Sequence, residues 1–336
     1  MIEQPYLIFI GDVALKSDAK TAFGLRDWTP GACLAQARLP GCRVDLGLPE
    51  MTPEEAARAG AKTLVIGVAP VGGRIPRAWF AMLERALEAG LDLAAGLHDR
   101  LGANAMLVEI ATRLGRRLHD VRVPAMNYPV ASGIKRSGKR LLTVGTDCAL
   151  GKKYTALAIT QEMKRRGHDA TFRATGQTGI LISGSGIPID SVVADFVAGA
   201  AEALSPDADG AHWDVIEGQG ALIHPGYAAV TLGLVHGSQP DALVLCHDPT
   251  RRVIEDYSGF EIPPLERVMS LYLDAAHLTN QLARFVGISL NTSEFDEPSA
   301  LALLARTSGV HGIPVIDPIR TGAAAIVDAI EQSAWN

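Results

Sequence analysis

The chain has 336 residues, enough for two ordinary domains with cores of their own, and 31 Lys and Arg against 37 Asp and Glu give a formal net charge of −6. That balance leaves no polybasic surface of the kind that neutralises nucleic-acid phosphates, so nucleic acid is not an expected partner. The N-terminal MIEQPYLIFIGDVALKSDAK has no basic n-region and no segment approaches ~18 uninterrupted apolar residues, so neither a leader nor a membrane span is expected and the protein reads as cytoplasmic. Four cysteines, Cys33, Cys42, Cys148 and Cys246, show no C-x-x-C spacing, which argues against a disulfide framework or a structural zinc site. Aromatic residues make up only 5%, while Ala, Gly, Val, Leu and Ile dominate, which suits strands buried on both faces beneath small-residue helices, an α/β signature.

The first third alternates apolar runs with helical patterns. YLIFIGD (6–12), CRVDLG (42–47), TLVIGV (63–68), LDLAAG (91–96) and HDVRVP (119–124) read as strands of βαβ units. After TLVIGVAPVGG, Pro76 sits near a helix start, Trp79, Leu83, Ala86 and Leu87 share one stripe, and Gly90 ends it. No G-x-G-x-x-G follows the first strand, so a dinucleotide is not expected in this Rossmann-like half. PAMNYPVASGIKRSGK (124–139) is rich in Pro, Ser, Gly and Lys without apolar period, and the domain boundary is placed there, giving domains 1–130 and 131–336.

The second half repeats the alternation with RLLTV (140–144), ATFRAT (170–175), WDVIE (213–217), ALVLCHD (242–248), FVGISLN (285–291) and PVIDP (314–318). Ala156, Ile159, Thr160 and Met163 fall at helical spacing after the first of these strands, with Lys164, Arg165 and Arg166 before a stop at Gly167. A further helix is expected from about Ser191, capped by Asp190, with Val193, Phe196, Val197 and Ala200 on one face. Each half is thus expected to be a doubly wound, mainly parallel sheet. In such a sheet the strand C-terminal ends share one edge, where ligands bind.

GTDCALGKKYT (145–155) lies between a strand and a helix, and Gly145 and Gly151 let the backbone curl close to an anion while Lys152 supplies charge. Five residues separate Gly145 from Gly151, one more than in G-x-x-x-x-G-K-[ST]. Lys153 stands where a nucleotide-hydrolysing loop places the Ser or Thr that ligates Mg²⁺. Two adjacent lysines suit an anion held by charge without metal, such as the phosphates of coenzyme A. Thr146, Asp147, Cys148, Tyr154 and Thr155 complete the expected cradle, although Thr155 lies roughly 200° around the helix from position 153 and is a poor substitute for the missing hydroxyl.

Glu217 directly follows a strand and His224 follows within one loop; both are candidates for a general base, against the alternatives of a carboxylate that holds Lys152 or loop amides and of a hydrogen-bonded structural histidine. Cys148, inside the loop, is a weaker candidate for a transient acyl-cysteine, since no sequence-adjacent base accompanies it. Arg173, Arg251, Arg252 and Arg320 lie near strand ends, where they can clamp a carboxylate or form surface salt bridges.

With GTDCALGKKYT, ATGQTGILISGSGIPIDSVVADFVAGAAE and VIEGQGALIHPGY in hand, the sequence resembles the bacterial D-glutamate N-acetyltransferase family, formerly a domain of unknown function. IGVAPVGGRIP, GLDLAAGLHDRL and HDVRVP extend the resemblance over nearly the whole chain. The resemblance implies a Rossmann-like N-terminal domain, a P-loop NTPase-like C-terminal domain, and acetyl transfer from acetyl-CoA to the amino group of D-glutamate, with no metal. Acyl transfer needs a base, an oxyanion donor and cations for two carboxylates. The expected roles are Glu217 or His224 as base, Gly220 or loop N–H groups for the oxyanion, Arg173 and Arg320 for the carboxylates, and Gln177 and Gln219 beside the substrate. The GTD loop alone is similar to dethiobiotin synthetase, which continues with Thr after Lys and uses Mg-ATP, so an ATP-dependent ligase or kinase is the alternative, and a non-catalytic nucleotide or CoA switch a third. A homo-oligomer is expected, as two-domain α/β proteins often associate.

Overall fold

The computed structural model describes residues 2–68 and 73–335; residues 69–72 of the IGVAPVGGRIP segment lie outside the described residues. The chain divides into two compact units, Met1–Pro124 with Gln177–Pro188, and Ala125–Gly176 with Ile189–Asn336. Among the described residues no helix is long and apolar enough to cross a membrane.

The first unit is a five-stranded sheet of β1 (Tyr6–Phe9), β2 (Cys33–Ala37), β3 (Thr63–Ile66), β4 (Asp92–Ala95) and β5 (Leu118–Asp120) in the order β2-β1-β3-β4-β5. Every pairing is parallel. The residues of β1, β3 and β4 are all buried, as expected where helices cover both faces. Those helices are α1 (Lys20–Trp28), α2 (Pro53–Arg58), α3 (Phe80–Glu88) and α4 (Ala105–Leu114). α3 buries Leu83, Ala86 and Leu87, and Trp79 just before it packs edge-on against Phe9 at 5.3 Å between ring centroids. The second strand is a correction. CRVDLG (42–47) forms no strand; β2 lies nine residues earlier, at CLAQA, whose Gln36 hides the apolar pattern because its side chain is buried and bonded to Asp45 and Leu46 N.

The second unit contains a six-stranded sheet of β6 (Lys139–Gly145), β7 (Ala170–Arg173), β8 (Trp213–Ile216), β9 (Ala242–His247), β12 (Arg284–Leu290) and β13 (Val315–Ile316). Its order is β13-β12-β9-β6-β8-β7, parallel throughout, with β6 at its centre. Successive strands first fill one side of β6 and then the other, so the loop after β6 sits where the winding reverses, the place such sheets reserve for ligands. Helices α5 (Lys152–Arg165), α7 (Val197–Leu204), α8 (Ala228–Ser238), α9 (Leu265–His277), α10 (Glu297–His311) and α11 (Ala324–Glu331) belong to this unit. Two elements differ from the reading of the sequence. The helix expected from Ser191 begins at Val197, after short 3₁₀ turns, and Val193 is 67% exposed rather than on an apolar face. A two-stranded antiparallel hairpin, β10 (Val253–Ile254) and β11 (Tyr257–Glu261), also follows β9; all five β11 residues are exposed, so burial leaves no pattern to read.

The chain does not pass once from unit to unit. α6 (Gln177–Ser183) and the residues up to Pro188 return to the first unit, where Thr178 Oγ1 meets Thr21 Oγ1 at 2.8 Å.

Candidate active site

The phosphate-type loop is built by backbone geometry before any side chain acts. β6 delivers Gly145 to the sheet edge, Gly151 at φ +102° turns the chain into α5, and Ala149 takes a left-handed φ of +55° that a side chain rarely adopts. Among the described residues the N–H groups of Ala149, Leu150 and Gly151 make no hydrogen bond, so loop amides and the N-terminus of a 14-residue helix are left for an anion.

Lys152 folds back over its own loop. Its Nζ donates to Asp147 O at 2.7 Å, and its stem crosses Gly218, where a Cβ would sit 3.0 Å from Lys152 Cδ and collide with the Thr143 carbonyl. Burial pushes the Lys152 ammonium below the usual lysine range, opposed by Cys148, Cys246, Asp147 and Glu217 around it. An arriving phosphate would oppose that shift by favouring the charged form. Thr155 turns away from the loop: it is fully buried, donates to Gly151 O at 3.1 Å and shares a 2.8 Å bond with Ser289. Lys153 occupies the place of the magnesium-ligating hydroxyl, and the next hydroxyl along, that of Thr155, is built into the sheet–helix contact.

Asp147 organises the other half of the loop. Its Oδ1 accepts from Cys148 N at 2.6 Å, and its Oδ2 from Arg251 Nη1 and Glu255 N, each at 2.8 Å. The carboxylate ties the turn into the β10–β11 hairpin to the loop. His224, 2% exposed, points Nε2 at Asp147 Oδ1 across 3.7 Å. Its Nδ1 accepts from Gly226 N at 3.0 Å and Tyr227 N at 3.2 Å, which assigns the ring proton to Nε2. His224 is thus a donor toward the loop, and the base role expected for it is corrected: one nitrogen already carries a proton and the other is engaged by two N–H groups.

Glu217 leaves β8 5% exposed, with Oε2 accepting from Thr175 N at 3.0 Å and Gly176 N at 3.1 Å. Oε1 accepts no hydrogen bond among the described residues. Burial raises its carboxyl above the usual carboxylate range, with Lys153 the largest opposing influence. Lys153 Nζ also lies 4.9 Å from the Tyr154 ring centroid. Gln219 donates to Thr175 Oγ1 at 3.1 Å, and Gly220, at φ +61°, follows it.

The remaining expected residues have partners of their own. Arg173 Nε is bonded to buried Asp214 at 2.6 Å, and Arg320 Nη2 donates to Thr292 O and Phe295 O, so each guanidinium is anchored on one side to its strand or loop. Gln177 Oε1 accepts from Arg122 at 3.4 Å within the first unit, and Gln177 follows directly on Gly176, whose N–H donates to Glu217. Burial pushes the Cys148 thiol up, against nucleophilic use. One residue carries no motif and was missed. Tyr272, fully buried on α9, donates to Gly145 O at 2.8 Å and accepts from Leu222 N at 2.9 Å, pinning the loop to the segment that carries His224.

Ligand atoms of Asp147, Cys148 and His224 lie within 4.8 Å of one another, close enough to invite a metal. The donor set does not fit one. A metal on Nε2 needs the proton on Nδ1, where two N–H donors already point, whereas a ligating histidine gives that proton to an acceptor.

The comparisons with known proteins match this architecture. A Rossmann-like domain of unknown function (DUF1611_N) matches residues 37–124, and a P-loop domain of unknown function (DUF1611_C) matches residues 129–327. The chain belongs to the DUF1611 family. A solved DUF1611 structure from Anabaena variabilis superposes at a TM-score of 0.89 and 35% identity, covering 98% of this chain and 100% of that one. The D-glutamate N-acetyltransferase of Tritonibacter scottomollicae is 54% identical over 330 residues, 98% of this chain and 99% of that protein. The protein of the same name from a Pseudoalteromonas species is 46% identical over 326 residues, 97% of this chain and 98% of that protein.

Proposed function

We propose that the chain is a D-glutamate N-acetyltransferase that takes its acetyl group from acetyl-CoA. The observation that carries this reading is identity of 54% and 46%, over nearly the whole length, to two proteins bearing that name. The site geometry supports it. Loop amides, the α5 N-terminus and Lys152 hold the CoA phosphates, and the sequestered hydroxyl of Thr155 speaks against the Mg-ATP alternative. Glu217 takes a proton from the substrate ammonium, so that the amine attacks the thioester carbonyl. The C–N bond forms, the C–S bond breaks, and CoA leaves as the thiol after protonation. Nε2–H of His224 and the N–H of Gly220 are the donors for the carbonyl oxygen as negative charge develops on it. All four cysteines are free, which suits a reducing, cytoplasmic setting.

Incubating the full chain with acetyl-CoA and D-glutamate in EDTA should release free thiol and form N-acetyl-D-glutamate. Absence of thiol release with every amino acid tried would overturn the reading. Thiol release that requires Mg²⁺ and ATP would move the chain to the ligase class.

A further inference from the structure

A cleft of about 230 Å³ opens beside the phosphate loop, and no role above accounts for it. Its polar wall is His247, Arg306, Thr307 and His311; its apolar wall includes Leu265, Leu290 and Leu303. The volume is below the ~300 Å³ at which whole drug-sized ligands are housed, so the cleft suits a fragment of a larger molecule rather than the whole.

Strand order fixes where this cleft stands. Along the sheet edge the sequence of strands is β8, β6, β9, β12, with neighbours about 4.8 Å apart. Glu217 leaves β8, the phosphate loop leaves β6, and the cleft is walled by the ends of β9 (His247) and β12 (Leu290). The candidate base and the cleft thus lie on opposite sides of the loop. An acyl-CoA has the same order: the thioester arm is on one side of the pyrophosphate, and the adenosine with its 3′-phosphate is on the other.

The side chains agree with that polarity. His247 is joined to the loop by a 2.9 Å bond from Nδ1 to Thr146 Oγ1, and burial lowers its pKa to about 4, so it presents a neutral ring. His311 leans toward Glu266 at 3.6 Å. Arg306, exposed on α10, makes no hydrogen bond or ion pair among the described residues, so its guanidinium is available to an incoming anion. Apolar walls with a neutral imidazole and one uncommitted guanidinium fit a nucleobase and a phosphate; a free amino-acid dicarboxylate would call for more cations and less apolar surface.

We infer that the cleft between α9 and α10 receives the adenosine end of the acyl-CoA donor, with Arg306 on its 3′-phosphate. This rests on the acetyl-CoA reading above, and the test separates the two. In calorimetric titrations of the full chain, adenosine 3′,5′-bisphosphate should bind about 10-fold or more tightly than adenosine 5′-monophosphate, and Arg306→Ala should remove that preference. In turnover assays, Arg306→Ala should raise the KM for acetyl-CoA by a similar factor and hardly move that for 3′-dephospho-acetyl-CoA. Equal binding of the two nucleotides by the unaltered protein, or a preference that survives in Arg306→Ala, overturns the inference even if acetyl transfer is observed. A rise in the KM for D-glutamate instead of the donor would also overturn it, by giving the cleft to the amino acid. An Arg306-dependent preference with no acetylation of any amino acid keeps the cleft as an adenosine phosphate site and removes the acetyltransferase reading. Because Arg306 is exposed and alanine is a good helix former, the variant is expected to fold, which far-ultraviolet circular dichroism checks.

Discussion

Replacing Glu217 with glutamine separates its two roles. A glutamine carbonyl can still accept from Thr175 N and Gly176 N, so the loop connection at 3.0 and 3.1 Å is retained while the proton acceptor is lost. Positioned general bases contribute about 10²–10⁴-fold to rate, so kcat should fall by that factor with little change in either KM. Glu217→Ala should add a stability loss that Glu217→Gln lacks, about 1–3 kcal/mol for each buried N–H left without an acceptor. The assay is continuous release of CoA thiol, run against pH. Because burial raises the Glu217 carboxyl, the acid limb of kcat/KM should lie above the ordinary carboxylate range and disappear in Glu217→Gln. A kcat within a few fold of the unaltered protein, or an unmoved acid limb, would refute the base assignment and leave Glu217 as a loop brace.

The same carboxyl makes a stability prediction. A raised folded-state pKa contributes stability that is complete below the unfolded value of about 4.3 and is lost as pH rises through the folded value. Glu217→Gln removes that loss, so its Tm relative to the unaltered protein should increase as pH rises above about 4.3; a pH-independent difference in thermal melts would contradict it. Lys152→Ala should raise the KM for acetyl-CoA about 10–100-fold while leaving that for D-glutamate nearly unchanged, and equal effects on both would argue against phosphate anchoring. Tyr272→Phe takes the acceptor from Leu222 N and the donor from Gly145 O, so about 1–3 kcal/mol should be lost, at roughly 2–4 °C of Tm per kcal/mol, and an unchanged Tm would deny the pinning role.

The strands most legible in the sequence are those whose neighbours hide both faces. The apolar runs at β1, β3, β4, β6, β8, β9 and β12 mark themselves because nearly all of their positions are buried. β2 escaped because buried Gln36 is satisfied by Asp45 and Leu46 N, partners nine and ten residues on. In the site, the loop was readable from Gly145, Gly151 and Lys152, since backbone turn and charge are local properties. The anchoring of Arg173 and Arg320 was not, because it is set by distant acceptors, Asp214 in one case and the Thr292 and Phe295 carbonyls in the other. His224 shows the limit for titratable groups: residue type offers a base, and two backbone N–H groups turn it into a donor.

The return of Gln177–Pro188 to the first unit bears on how such a protein can be taken apart or assembled. A gene segment ending near residue 130 would encode the five-stranded sheet without α6, leaving Thr21 without its bond to Thr178. The second unit, expressed from residue 131 onward, would carry that helix as an insertion severed from the body it belongs to. The two modules are therefore interleaved in the polypeptide, and recombination with other P-loop or Rossmann-like genes at a single junction would produce two incomplete products instead of two exchangeable parts.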